Sequence, residues 1–439
     1  MNNSKLPVGI IGAGPVGLAA AAHLTKYKIP FILFESGSSV GNNFLSWAHV
    51  RVFSPWKYNI DKAAEELLVE SGWEAPNKEG LPTGKQLVEN YFRPFSELSS
   101  IAPHIHLNTK VVSIGRKGVD KMKNAGREDK PFSIKVEENG VIKYYDTKAV
   151  IDASGTWNQP NPIGSGGVFA EGEQELSEHI FYGIPNVKNE ALDRYKNKNV
   201  VVVGGGHSAI NALLDLADVQ EIYSSTKLNC ILRKADVSTV FGGQEADALE
   251  ARGALGIRIE KLVNSGNLNI YTPFHILKLH KTEGGIDIEG DLNGKMSTIP
   301  NVNEIISNTG SRPNLDIIHE VRIDLDSSLE AVFHLAELID PNIHSCGTIR
   351  PHGEKQLRQP EQDFYIVGTK SYGRAPIFLM VTGYEQIRSI VAFMRGDTEA
   401  AERVELELPE TGVCSFTIDA KTTSSCDLEK KSEKKGGCS

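Results

Sequence analysis

Cysteine is scarce in this chain. There are five in 439 residues, none precedes Cys230, and no two are spaced as CxxC. That pattern excludes a small scaffold stapled by disulfides. Cationic excess is also missing: 47 Lys and Arg face 56 Asp and Glu, for a net charge of −9. Nucleic-acid binding driven by bulk charge is therefore not expected. No clean apolar run is long enough for a bilayer helix. The nearest, Leu6 to Leu24, has no Asp, Glu, Lys or Arg, but Pro15, Gly9, Gly12, Gly14 and Gly17 punctuate it. No membrane span and no export signal are expected, and the expected location is the cytoplasm. With 40% hydrophobic and 23% charged residues the chain has a globular balance, and its length suggests two or three domains.

Glycine, by contrast, is plentiful at 41 residues. The first cluster reads Pro7-Val-Gly-Ile-Ile-Gly12-Ala-Gly14-Pro15-Val-Gly17 and runs into an alanine-rich helix pattern. An apolar run, Ile29 to Phe34, and then Glu35 follow. The order is strand, glycine turn, helix, strand, acid. Gly12 makes the tight turn, Gly14 lets the backbone approach a pyrophosphate, and Gly17 lets helix and strand pack closely. The helix N-terminus, opened by Pro15, offers free N–H groups and partial positive charge. Glu35 is placed to accept hydrogen bonds from ribose hydroxyls.

The second cluster is Asn199-Val-Val-Val-Val203-Gly204-Gly-Gly206-His-Ser208-Ala209, followed by a helix pattern. Ala209 takes the third glycine position. The next strand candidate, Leu228 to Leu232, ends in Arg233-Lys234 rather than an acid. Cations there suit a 2′-phosphate, so NADPH is favoured over NADH, with Asp236 nearby leaving NADH as the alternative. His207, inside the turn, reads as a local hydrogen-bonding residue rather than a catalyst. Two more segments, Val150-Ile-Asp-Ala153-Ser-Gly155 and Ile305 through Thr309-Gly310 to Asn314, are strands entering small-residue turns. Phe364-Tyr-Ile-Val-Gly368-Thr369 is another.

Taken together, these residues resemble the flavoprotein superfamily of thioredoxin-reductase-like enzymes and flavin-containing class B monooxygenases. The resemblance spans about residues 7–400. It implies an α/β fold of two Rossmann-like dinucleotide-binding domains, with the NADPH domain inserted into the FAD domain. The boundaries expected are 1–190 with 310–410 for FAD, 195–309 for NAD(P)H, and 411–439 for a tail. It implies FAD and NADPH as cofactors, a small-molecule substrate, and it allows a homodimer. It also implies an adenine contact from the backbone of Val111, and interdomain crossings at Ala153–Gly155 and Thr309–Gly310.

Three departures matter. The dithiol that reductases of this superfamily carry beside the flavin is absent in its usual form. The monooxygenase signature FxGxxxHxxx(F/Y/W) is present only in fragments, at Phe169 to Gly172 and His179 to Tyr182. The acid that usually follows the last glycine is Thr369 here. The segment Gly41 to Tyr58, rich in aromatics and amides, is expected near the flavin, as shield, substrate wall or simple loop packing.

From about Thr417 the composition turns to Ser, Thr, Lys, Glu and Gly, too polar to form a core. A disordered tail is expected. It carries Cys414, Cys426 and Cys438 at spacings of 12. These thiols are either incidental or carriers of electrons or a soft ion. The overall arrangement resembles flavoproteins encoded with arsenic-resistance genes. Leu408-Pro-Glu-Thr-Gly412 matches a sorting signal by chance, because no apolar span follows. His344, Cys346 and His352 show no recognisable ligand spacing, so no metal is expected. The leading expectation is an FAD-dependent NADPH oxidoreductase of monooxygenase type that oxygenates a small soft nucleophile. The alternatives are a disulfide, metal or metalloid reductase using the tail thiols, and a flavoprotein redox sensor.

Overall fold

The structure, a computed structural model, describes residues 5–242, 244–247, 249–343 and 352–406. The tail with Cys414, Cys426 and Cys438, and the pair His344 and Cys346, lie outside the described residues.

Strands β1 (Val8–Ile11), β2 (Phe31–Phe34) and β3 (Ile105–His106) come first, then β4 (Thr109–Arg116), β5 (Phe132–Glu138), β6 (Val141–Thr147) and β7 (Ala149–Asp152). The middle of the chain holds β8 (Ile180–Tyr182), β9 (Asn199–Val203), β10 (Lys227–Ile231) and β11 (Leu268–Tyr271). It continues with β12 (Phe274–Thr282), β13 (Gly285–Leu292), β14 (Lys295–Val302) and β15 (Glu304–Ser307), and β16 (Phe364–Ile366) closes the series.

The first parallel sheet has the order β16-β7-β1-β2-β3. Its central strands are buried throughout and apolar except for Asp152 at the end of β7, as a sheet covered on both faces requires. Helix Pro15–Lys26 covers it with a run of alanines, and Leu18 and Leu24 are buried beneath. The antiparallel β4-β5-β6 covers part of it: a Cβ on Gly9 would come 2.6 Å from Ile134.

The second parallel sheet has the order β11-β10-β9-β15-β8. Its β9 shows why β-branched runs suit such sheets. Val200 and Val202 pack with helix His207–Ile222, while Val201 and Val203 pack with the antiparallel β12-β13-β14. All of its strands fall between β7 and β16, so the second unit is inserted into the first.

One boundary differs from expectation. β8 pairs with β15, and Ile163, Ala170 and Leu176 pack with the second unit's core. The chain therefore enters that unit near residue 163, not near 195. A three-residue strand carries too little alternation to be read from sequence.

A buried charge cluster ties the return of the chain to the first unit. Glu361 receives Arg116 Nε at 2.8 Å and Arg127 at 2.7 Å, with both guanidinium groups buried. Burial pushes the Glu361 pKa up, but bonds from Arg127 and Arg116 outweigh it and hold it below the ordinary value. A depressed folded-state pKa stabilises the fold above the unfolded value of about 4.3 and loses that contribution as pH falls through the folded value. The stability gap between wild type and Glu361→Gln should therefore be flat from neutral pH to about 5. It should close on further acidification in urea titrations, and a gap constant down to about pH 3 would refute this linkage.

Candidate active site

The turns of both sheets gather at the C-terminal ends of their strands, where open α/β sheets bind ligands. At the end of β1, Gly12 has φ +96°, a conformation that favours glycine. A Cβ on Gly17 would lie 1.9 Å from the Gly12 carbonyl oxygen, so helix and turn are in backbone contact. Nothing lies within 4 Å of a Cβ on Gly14. The helix that starts at Pro15 has neither a side-chain cap nor an acid in its first turn. Open space, free N–H groups and an uncompensated dipole together fit a pyrophosphate.

Glu35 is buried at the end of β2, where its carboxylate accepts from Ala13 N at 2.8 Å and Gly37 N at 2.7 Å. A carboxylate has acceptor capacity beyond those two bonds. Thr109 N donates to the Glu35 carbonyl, which places the start of β4, and buried Val111 two residues on, beside it. The crossing turn after β7 packs on the cradle: Ala153 N donates to Ile11 O, and Gly155 has φ +68°. Gly368, with φ +67°, abuts Val16 and donates its N–H to Gln386.

The second cradle repeats this design. Gly204 has φ +130°, and a Cβ there would meet Asn308 O at 2.4 Å. Gly206 is open, and helix His207–Ile222 starts uncapped with no acid in its first turn. Ser208 is exposed in that turn, while Ala209 is buried. Arg233 and Lys234 are exposed just past β10. Asp236 is occupied differently from a ribose-binding acid: it accepts from Ser238 N at 2.8 Å and Ser238 Oγ at 2.7 Å, capping the following turn. Those bonds lower its pKa. Gly310, with φ +82°, pairs with the first crossing through Asn161.

Between the cradles runs the aromatic segment. Gly41 N donates to Ala13 O, which anchors it to the first fingerprint. Phe44 packs against Trp47 with ring centroids 4.6 Å apart, and Trp47 faces Trp157 of the crossing turn at 6.3 Å. Farther along, Phe53 meets His207 at 5.3 Å, and Arg252 lies over the Phe53 ring. His207 thus makes a tilted ring contact with Phe53, and its backbone carbonyl accepts locally from Asn211 Nδ2 at 2.9 Å. Burial and the Arg252 charge push its pKa down.

The deepest charges here went unnoticed in the sequence. Lys370 Nζ bonds Asp152 Oδ2 at 2.7 Å and Ser154 Oγ at 3.2 Å, and both charged side chains are 0% exposed. The available signal was an Asp at the end of an otherwise apolar strand. His352 is buried against Gln386 Nε2, and among the described residues no His, Cys, Asp and Glu cluster suits a metal. No described helix is long and apolar enough to cross a membrane.

Residues 9–337 match the pyridine nucleotide-disulphide oxidoreductase family. The chain belongs to that family. It is a flavin-dependent pyridine-nucleotide oxidoreductase, and FAD and NADP(H) are its cofactors. It is 24% identical over 360 residues to ferredoxin--NADP reductase 2 of Exiguobacterium sibiricum, covering 79% of this chain and 82% of that one. It is 25% identical over 245 residues to an Arabidopsis thaliana flavin-containing monooxygenase, FMO GS-OX-like 9, covering half of each. The bacillithiol disulfide reductase of Bacillus cereus shares its fold with a TM-score of 0.67 at 18% identity, over 89% of this chain and 99% of that one.

Proposed function

We propose that this oxidoreductase is a monooxygenase that takes hydride from NADPH and oxygenates a small soft nucleophile with O₂. In this reading Gly12, Gly14, Pro15, Gly17, Glu35, Val111, Ala153, Gly155, Gly310 and Gly368 hold FAD. Gly204, Gly206, Ser208, Ala209, Arg233 and Lys234 hold NADPH. FAD, when bound, accepts the hydride and supplies the reaction with O₂. The protein's part is to orient the two nucleotides and keep water out. The uncapped helix ends anchor the phosphates. Phe44, Trp47 and Trp157 form an apolar wall between the cradles.

One observation carries the reading. The only cysteine among the described residues is Cys230, buried in β10 of the second sheet, with its thiol pKa pushed up to about 12 by burial. A thiol held protonated is a poor redox relay. Among the described residues no thiol is placed to relay electrons, so in this reading they leave the flavin directly for a small acceptor.

A second reading, electron delivery to an external protein or disulfide, is favoured by the 82% coverage of the ferredoxin--NADP reductase. Stoichiometry separates the two. The holoprotein is mixed anaerobically with NADPH, then with O₂, in the presence of a simple thioether or amine. A monooxygenase bleaches its flavin, transfers labelled oxygen to the nucleophile and releases less hydrogen peroxide than NADPH consumed. Peroxide equal to NADPH with every nucleophile, and no labelled product, would reject oxygenation. Truncation before Cys414 should leave oxygenation intact, whereas a tail-thiol reductase would lose turnover.

A further inference from the structure

Two arginines beside the crossing turns meet no carboxylate. Arg312 lies two residues past Gly310, and Arg374 follows Gly373 in the stretch after β16. Arg312 donates from Nε to Asn161 Oδ1 at 2.9 Å and from one terminal nitrogen to Gly167 O at 3.4 Å. Both acceptors are neutral. The Arg374 guanidinium has no hydrogen bond or ion pair among the described residues and is exposed.

Their spacing suggests why. A Cβ on Gly167 would sit 3.6 Å from an Arg374 terminal nitrogen and 3.7 Å from an Arg312 one. Both terminal nitrogens thus lie beside the same α-carbon, and Gly167, at φ +77°, puts no side chain against them. Charge-assisted bonds from guanidinium to oxyanion are about 2.8 Å long. Two nitrogens gathered at one glycine can each donate such a bond to the same carboxylate, sulfonate or phosphonate group. The arginines hang on the turns that follow β15 and β16, and Ser311 bonds Thr156 of the turn that carries Trp157. The Arg312 turn is therefore tied to the turn that carries Trp157 of the proposed active site.

We propose that Arg312 and Arg374 form an oxyanion clamp, and that the enzyme's substrate is a small organic molecule bearing one acidic group. This rests on the proposed use of the cleft for a small substrate, but its test measures binding and needs no oxygenation.

Inorganic sulfate and phosphate are the probes. Full-length holoprotein is titrated with each by calorimetry at constant ionic strength, with chloride as the balancing anion. Saturable binding is expected, weakened at least tenfold in Arg374→Gln and only in part restored in Arg374→Lys, which keeps the charge but not the fork. Arg374 is exposed, so its substitution should not unfold the chain. Arg312→Lys serves as the second variant. Flavin content and NADPH affinity are measured alongside. Undiminished anion binding in Arg374→Gln, or none in wild type, would overturn the proposal. So would a loss confined to NADPH affinity or to FAD retention, which would assign the pair to cofactor phosphate. Binding of an acidic protein that sulfate does not compete away would overturn it in favour of a protein partner. A failed oxygenation assay with intact sulfate binding would reject the proposed reaction and leave the clamp standing.

Discussion

Gly17→Val should purify colourless. The side chain would start 1.9 Å from the carbonyl oxygen of Gly12, a backbone atom that cannot swing away. Either the helix lifts off β1 or the turn opens. Overpacking of this kind costs about 1–3 kcal/mol of stability. The larger loss falls on the cofactor, because both the turn and the helix N-terminus that face the phosphates move. FAD affinity should fall at least about 100-fold, equivalent to about 2.8 kcal/mol at about 1.4 kcal/mol per tenfold. Flavin absorbance per protein, with a thermal melt, reads both effects. Gly14→Ala separates them. Its backbone is extended and its Cβ would meet nothing within 4 Å, so the fold should tolerate it while the added methyl intrudes on the phosphate space. A Gly17→Val protein with full flavin and an unchanged melt would refute the first cradle as drawn.

The second large effect concerns the ion pair beneath the turns. Lys370→Met leaves the Asp152 carboxylate at 0% exposure with only Ser154 for company. Breaking one side of a buried pair typically costs about 3–5 kcal/mol, because the remaining charge stays desolvated. Replacing both partners with apolar groups is often nearly neutral. The expected order of stability in urea is therefore wild type close to Asp152→Leu/Lys370→Met, and both well above Lys370→Met. The interaction energy in that cycle should be large and recover most of the single-mutant loss. A Lys370→Met loss below about 1 kcal/mol, or a double variant worse than either single one, would mean the pair contributes little.

Much of the fold was readable from local pattern. Each nucleotide cradle is a continuous stretch of chain in which strand, glycine turn and helix follow one another. Val200 to Val203 alternate between two cores, and that alternation shows as a buried β-branched run. The helix after Gly206 and the burial of Cys230 were legible for the same reason. Short or discontinuous features were not. β8 has three residues and gains its identity only by pairing with β15. Asp152 and Lys370 are 218 positions apart, and Arg116 reaches Glu361 across 245. No spacing rule links residues at such separations.

The sequence by itself determined the two cradles, because glycine at Gly12, Gly17 and Gly204 answers a steric demand set within a few residues. It also determined the family, since both cradles and the acid at Glu35 occur in order along the chain. Only the tertiary structure decided which groups share the space between them. It brought Trp47 to Trp157, Phe53 to His207, and Arg312 and Arg374 together beside Gly167. The first joins segments 110 positions apart within one unit, and the meeting of Phe53 with His207 depends on how two sheets with separate cores dock; neither kind of contact leaves a periodicity in the chain.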